Sequence, residues 1–236
     1  MPASQPDGAL PLYLQISESL IRDIASGRLA DGSRLPPERD MAKSLGISIG
    51  TLRKALAELE KLELLRRIHG SGNYVRTKAT PEGVYAFFRL ELREGGGLPT
   101  AQVLDVMRMN KPASLPAFGT SIAAYRIRRL RMLSGKPAAL EEIWLDADCV
   151  QTLDAAELSH SLYRYYREAL DLWITGYVDQ VSVAPCPAWA PDVFAPRPGA
   201  PCGLVERASR TRDGATPEVS RNWFDSEIAC YVARMR

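Results

Sequence analysis

Histidine is almost missing: the 236-residue chain has two, His69 and His160. The four cysteines (Cys149, Cys186, Cys202, Cys230) are scattered, with no C-x-x-C and no histidine beside them. This removes the ligand spacing of a zinc site and the framework of a disulfide-stapled domain, and it suits a reducing compartment. G-x-S-x-G, the P-loop and G-x-G-x-x-G do not occur either, so no common catalytic or nucleotide-binding pattern is in view. No apolar run reaches the roughly 18 residues that span a bilayer. The opening MPASQPDGAL lacks the basic stretch and apolar core of a signal peptide. The expectation is a cytoplasmic protein that uses no cofactor or metal, touches no membrane and is not an enzyme.

Net charge is also small, +2, but it is unevenly placed. Residues 1–78 hold 12 Lys/Arg against 9 Asp/Glu, while residues 79–236 hold 18 against 19. A basic first part on a neutral remainder points weakly to a polyanion partner. The length allows one or two domains with real cores.

What is present is clearest in LPPERDMAKSLGISIGTLRKAL, Leu35 to Leu56. Pro37 suits the first helical position, Met41, Ala42 and Leu45 recur at helical spacing, and Gly46 stops the helix. Ser48 can cap a second helix whose stripe is Leu52, Ala55, Leu56 and Leu59, with Ile49, Gly50, Arg53 and Lys54 off it. Two helices joined by so short a link have the spacing of a helix-turn-helix, or else form an ordinary pair with a solvated outer face. The flanks favour the first reading. Upstream, Leu12, Ile16, Leu20 and Ile24 lie four apart, a helix with one buried stripe ending near Gly27. Downstream, LLRRIHGSGNYVR reads as two short strands around His69-Gly70-Ser71-Gly72. This hairpin carries Arg66, Arg67, His69 and Arg76, with no acid from Leu64 to Lys78, which suits contact with phosphates.

Residues 11–76 resemble the winged helix-turn-helix DNA-binding domain of the GntR family of bacterial transcription regulators. The resemblance implies that Arg39, Ser48, Thr51 and Arg53 contact DNA together with Arg66 and the wing tip His69, Gly70, Ser71 and Gly72. The partner would be double-stranded operator DNA. A single three-helix unit covers too few base pairs for specificity, so a homodimer on a near-palindromic site is expected. The family commonly has arginine where Ile49 stands, which leaves base preference at that position open.

Past a polar linker over 77–84 the character changes. IAAYRIRRLRML and PAALEEIWL look like a hairpin across Ser134-Gly135-Lys136. SLYRYYREALDL reads as a helix with Leu162, Tyr166, Ala169 and Leu170 on one side. CGLVERASRTRDGATPEVSRNWF reads as a hairpin turning at Asp213-Gly214, and six prolines between Pro185 and Pro201 fix an irregular connection. The fold class is α+β with an antiparallel sheet. Residues 85–232 resemble the UTRA ligand-sensing domain of the HutC branch of the same family, which has a chorismate-lyase-like fold. The domain division expected is therefore 1–76, a linker over 77–84, and 85–236, in a repressor released from its operator by a small anionic metabolite.

Strand alternation puts Ile127, Arg129 and Arg131 on one face, neighbours roughly 7 Å apart, where an anion or a solvated edge would explain the arginines. A two-residue turn at Ser134-Gly135 sets Arg129 opposite Leu140, whereas a three-residue turn that includes Lys136 sets it opposite Glu141. Ser161 can cap the helix that follows it, and a helix start also attracts anions. The resemblance implies a pocket lined by Phe88, Arg89, Leu90, Arg129, Arg131, Glu141, Ser161, Glu218 and Phe224, and so the three-residue turn. Phe224 stands where tyrosine is common, and Arg89 where the family has a small polar residue. Both departures imply a different effector, one of phosphorylated or carboxylated type. Catalysis by the chorismate-lyase-like fold is the rival reading.

Overall fold

The computed structural model describes residues 11–25, 27–76, 88–158 and 162–233. The chain divides into two compact units, with the break between Arg89 and Leu90. The expected linker over 77–84 falls outside the described residues.

The first unit is three helices and a hairpin. In α1 (Leu12–Ala25) the four-residue spacing buries Ile16, Leu20 and Ile24, and Ile21 beside them. In α3 (Ile49–Lys61) Leu52, Ala55, Leu56 and Leu59 form a fully buried stripe. Truncating one of these leucines to alanine is expected to cost about 2–5 kcal/mol. Between them α2 (Glu38–Ser44) starts one residue later than expected, because Pro37 is extended and serves as the N-cap. It ends on Gly46 at φ 65°, where Ile47 N–H bonds Ala42 O and Gly46 N–H bonds Lys43 O. That left-handed residue closes the helix and turns the chain at once into α3. Strands β1 (Leu65–Ile68) and β2 (Gly72–Val75) pair antiparallel around the glycine tip. Residues 33–35 dock on the hairpin through a bridge between Arg34 and Tyr74 and the bonds Leu35 N–H to Asn73 O and Val75 N–H to Ser33 O.

The second unit is built on a six-stranded antiparallel sheet in the order β4-β5-β6-β9-β8-β7. Its strands are β4 (Pro99–Asn110), β5 (Ala123–Leu133), β6 (Lys136–Asp146), β7 (Ile174–Pro185), β8 (Pro201–Thr211) and β9 (Glu218–Phe224). A separate two-stranded sheet joins β3 (Leu90–Leu92) to β10 (Ala229–Tyr231). One helix, α4 (Leu162–Ala169), packs Leu162, Tyr165 and Tyr166 over Tyr125, Ile127, Ile143 and Leu145. Ala169 is exposed, and Tyr165 takes the buried place the periodicity had given it, since the helix ends there. The other face of the sheet packs Leu130, Leu140, Leu204 and Trp223 with Cys186, Phe194 and Cys202. The irregular Pro185–Pro201 connection supplies Phe194 and Cys186 to this second core. Strands β7 and β10 were not expected from the sequence; in β7, Gly176, Gln180 and Ser182 interrupt any apolar pattern, as its mostly solvated burial reflects. No helix among the described residues is long and apolar enough to cross a membrane.

The β5–β6 hairpin differs from expectation in its turn. Ser134 and Gly135, at φ 49° and 79°, form a two-residue turn, with Leu133 opposite Lys136. Arg129 nonetheless pairs with Glu141, because the register shifts once: Met132 pairs with Pro137 but Arg131 with Ala139. The extra residue, Ala138, restores the parity that the shorter turn would have lost. The irregularity sits beside Pro137, which has no N–H to give to the ladder.

Candidate functional site

In the first unit the helix pair and the wing border a groove of about 730 Å3, lined among others by Arg34, Glu38, Arg39, Arg53, Arg67 and His69. Ser48 caps α3 by accepting the Thr51 N–H at 3.0 Å, and the two hydroxyl oxygens lie 2.8 Å apart. Ile49 follows as the first helical residue and offers no side-chain donor there. Arg39, Arg53, Arg66 and His69 are exposed. At the wing tip Gly70 and Gly72 hold φ 72° and 129°, and a Cβ on Gly72 would press on the Arg34 guanidinium at 3.0 Å. Ser71 Oγ is 2.8 Å from Tyr74 Oη, which braces the tip.

Glu38 was not singled out by the sequence. Its carboxylate accepts from Arg53 Nε at 2.7 Å, and from Arg67 Nη2 and Asn73 Nδ2 at 3.5 Å each. One acid thus touches the second helix of the pair and both strands of the wing. The hydrogen bond from Arg53 holds the Glu38 carboxyl below its ordinary value, against a smaller upward push from burial.

In the second unit Arg129, Arg131, Glu141, Glu218 and Phe224 fall on the face of the sheet that carries α4, by the register of β5, β6 and β9. Glu141 accepts from Arg129 Nη2 at 2.7 Å and from Arg131 Nε and Nη2 at 3.0–3.1 Å, with all three side chains nearly dry. Burial pushes the Glu141 carboxyl up, but the Arg129 and Arg131 charges outweigh it and hold it below the ordinary value. Glu218 stands four residues along the strand from Asn222, which is the partner of Glu141, hence roughly 13 Å away. Its Oε1 accepts from Ser209 Oγ at 2.7 Å and from Tyr163 Oη at 3.2 Å, and burial leaves its carboxyl above the ordinary value. Tyr166 on α4 lies between, close enough to feel both Glu218 and Arg129. Tyr166 and Glu218 are both buried and each acts on the other: burial and the Glu218 carboxylate raise the Tyr166 hydroxyl, and that hydroxyl lowers the Glu218 carboxyl against the larger push of burial. Next along the sheet Arg207 clamps Asp179 at 2.6 and 2.7 Å and stacks on Tyr177. Phe224 lies against β8, where Gly203 leaves room that any Cβ would fill.

Phe88 and Arg89 group with the first unit, and Leu90 is buried in β3. Ser161 and His160 fall outside the described residues. Tyr163, Tyr166, Ser209, Arg207 and Asp179 were missed. One signal was available: a turn centred on Asp213-Gly214 sets Ser209 opposite Glu218, the register that forms.

Residues 12–75 match the sequence pattern of the bacterial regulatory proteins of the gntR family, and residues 94–228 match that of the UTRA domain. The chain belongs to the GntR family of transcriptional regulators, in its UTRA-bearing form. It is 57% identical over 229 residues to the HTH-type transcriptional regulator SmoD of Agrobacterium fabrum, covering 97% of this chain and 98% of that protein. It is 23% identical over 231 residues to the HTH-type transcriptional repressor NagR of Bacillus subtilis, covering 96% and 95%. Among solved structures, the transcriptional regulator YydK of Bacillus subtilis shares the fold with a TM-score of 0.53 at 20% identity, over 96% of this chain and 100% of that one. The first unit of this GntR regulator is therefore its DNA-binding part, and the second carries the UTRA domain.

Proposed function

We propose that this regulator is a homodimeric repressor that leaves its operator when a small phosphorylated or carboxylated metabolite binds the UTRA unit. On DNA, α3 enters the major groove with Arg53 toward base edges. Arg39, Ser48 and Thr51 serve phosphates or base edges, and Arg66, His69, Gly70, Ser71 and Gly72 bring the wing to the backbone. The exposure of the arginines and the glycine-made wing tip support this placement. Residues 77–84 join a DNA-binding domain over 1–76 to an effector domain over 85–236.

One observation carries the effector reading. On the face under α4, two buried guanidinium groups meet on the Glu141 carboxylate, and the buried Tyr166 hydroxyl lies close enough to Arg129 to feel its charge. Forked arginine donors suit a phosphate or carboxylate, and the Tyr166 hydroxyl beside Arg129 can serve a hydroxyl on the ligand body. Ser161, Leu90 and Phe224 complete the proposed lining within the second unit; Phe88, with the Arg22 guanidinium over its ring, and Arg89 belong to the first. The effector must bind the DNA-free arrangement better than the DNA-bound one, for otherwise no amount of it shifts the equilibrium. Binding suffices for that purpose, so the unit is read as a sensor and not as an enzyme.

The test is a screen of phosphorylated and carboxylated sugars for release of a labelled operator duplex, followed by calorimetry. Arg131→Ala should bind the duplex as before and lose both effector heat and release. Effector heat equal to the wild type would move the anion site elsewhere, and turnover of the bound compound would turn the reading toward an enzyme.

A further inference from the structure

Glu38 is an acid on the face that meets a polyanion, where its charge opposes binding. A bland account is available, since an acid in the first turn of a helix is favoured by the helix dipole. Asp40 occupies the same turn of α2. Glu38 does more than that account needs. Its carboxylate reaches fifteen residues along the chain to Arg53 on α3, and on to Arg67 of β1 and Asn73 of β2. Arg67 Nε in turn donates to Asn73 Oδ1 at 3.3 Å, and Asn73 is buried, with its carbonyl oxygen accepting from Leu35 N–H. The recognition helix and the wing are thus pinned to one carboxylate at the start of α2.

We infer that Glu38 is a positioning residue for specificity: it holds Arg53 by Nε so that only the Nη1/Nη2 end of the guanidinium is presented, and it ties the wing to that geometry. A guanidinium has two edges that can donate in pairs, and free rotation would let it offer either one to a base or to any phosphate. With Nε occupied, the end-on pair is what remains, and its partner of matching shape is guanine, through O6 and N7. Each half-site should therefore contain one guanine read by Arg53. The acid also works against indiscriminate binding, because it takes up positive charge that phosphates of any sequence would otherwise attract. The lowered Glu38 pKa fits this role: the group stays charged at neutral pH. The inference rests on Arg53 facing the bases, and its test separates the two claims.

A duplex is first selected from a random pool by the full-length protein, and a scrambled duplex of equal length serves as control. Affinity for both is then measured for Glu38→Ala, Glu38→Gln, Arg53→Ala and the double variant Glu38→Ala/Arg53→Ala. The expected result for Glu38→Ala is a selected-to-scrambled ratio lower by about tenfold, with scrambled DNA bound as well as before or better. Glu38→Gln should fall between wild type and alanine, since its amide oxygen still accepts from Arg53. The double variant should be no less specific than Arg53→Ala alone. Equal weakening on both duplexes for Glu38→Ala and Glu38→Gln would reduce Glu38 to a structural part and overturn the inference. So would a Glu38→Ala loss that adds in full to that of Arg53→Ala. An unchanged ratio for Arg53→Ala would overturn the base-reading role, and the inference with it.

Discussion

Glu38 in the DNA-binding unit and Glu141 in the UTRA unit each hold two arginines, and the chemistry of the two clusters is the same. Their surroundings are opposite. The Arg53, Arg67 and Glu38 side chains are 65%, 46% and 22% exposed, against 3%, 4% and 6% for Arg129, Arg131 and Glu141. In water such a pair is worth little, because both ions keep most of their solvation and the side chains lose freedom on pairing. It can be opened by a competing anion, which is what a DNA-reading surface requires. In a dry site each ion has lost several kcal/mol of solvation, so the cluster persists only if every charge keeps a counter-charge. On the proposed reading, a ligand anion there would have to join or replace the Glu141 contacts, and few anions have the shape to do so. Exposure thus separates a cluster that competing anions can open from one that holds its charges paired.

The largest expected effect tests this contrast directly. Glu141→Ala strips the counter-charge from Arg129 and Arg131 and should lower the unfolding free energy by about 3–5 kcal/mol, read from denaturant midpoints at neutral pH. An equal charge deletion at Glu38 should do far less. If the two variants lose the same stability, the exposure difference does not govern the energetics of these clusters.

Much of this was legible in the sequence, and the reasons are physical. The DNA-binding unit was readable almost residue by residue, because local signals determine it: the α1 and α3 stripes, the Ser48 cap, Gly46 and the wing glycines. The sheet was readable in pieces. Strand alternation put Arg129 and Arg131 on one face, but their pairing with Glu141 depended on a bulge at Ala138, whose one local sign, Pro137, marks a gap in the ladder without fixing the register. The three-residue turn gave the right partners by the wrong route. Strand β7 and the Arg207–Asp179 clamp stayed hidden, because an edge strand with a solvated face carries little hydrophobic pattern. Glu38 was quoted within the helix-turn-helix and passed over. Its role depends on contacts to Arg53, Arg67 and Asn73 that only tertiary structure creates.

Next in size comes the DNA surface. Arg53→Ala should lose about 1–3 kcal/mol on a specific duplex and far less on random sequence. Arg66→Ala should weaken both alike and lower the salt slope by about one. Titrations at several salt concentrations decide this, and equal losses on both duplexes for Arg53→Ala would remove it from base readout.

The pH response sharpens the comparison within the buried site. Glu218 is raised in the fold by burial, so its favourable contribution is full below the ordinary value of 4.5 and is lost as pH rises through the folded value. Glu141 is held low, so its contribution is present above 4.5 and is lost as pH falls through its lowered value. Glu218→Gln should therefore flatten the fall in stability above pH 4.5 and leave the acid limb, set by Glu141, in place. Chemical denaturation across a pH series checks both limbs. A change confined to the acid limb would contradict the sign assigned to Glu218.

The smallest expected effect completes the contrast. Glu38→Ala should change stability by less than about 1 kcal/mol, because Arg53 and Arg67 are solvated and survive the loss of their partner without desolvation cost. The small loss should shrink further as salt is added, since charges at an open surface are screened beyond about 10 Å at 0.1 M. The Glu141→Ala loss should barely respond, because salt does not enter a dry site. Denaturant midpoints for both variants at low and high salt give the comparison. A Glu38→Ala loss that stays constant with salt would mean that its bonds to Asn73 and the wing, and not its charge, carry its share of the fold.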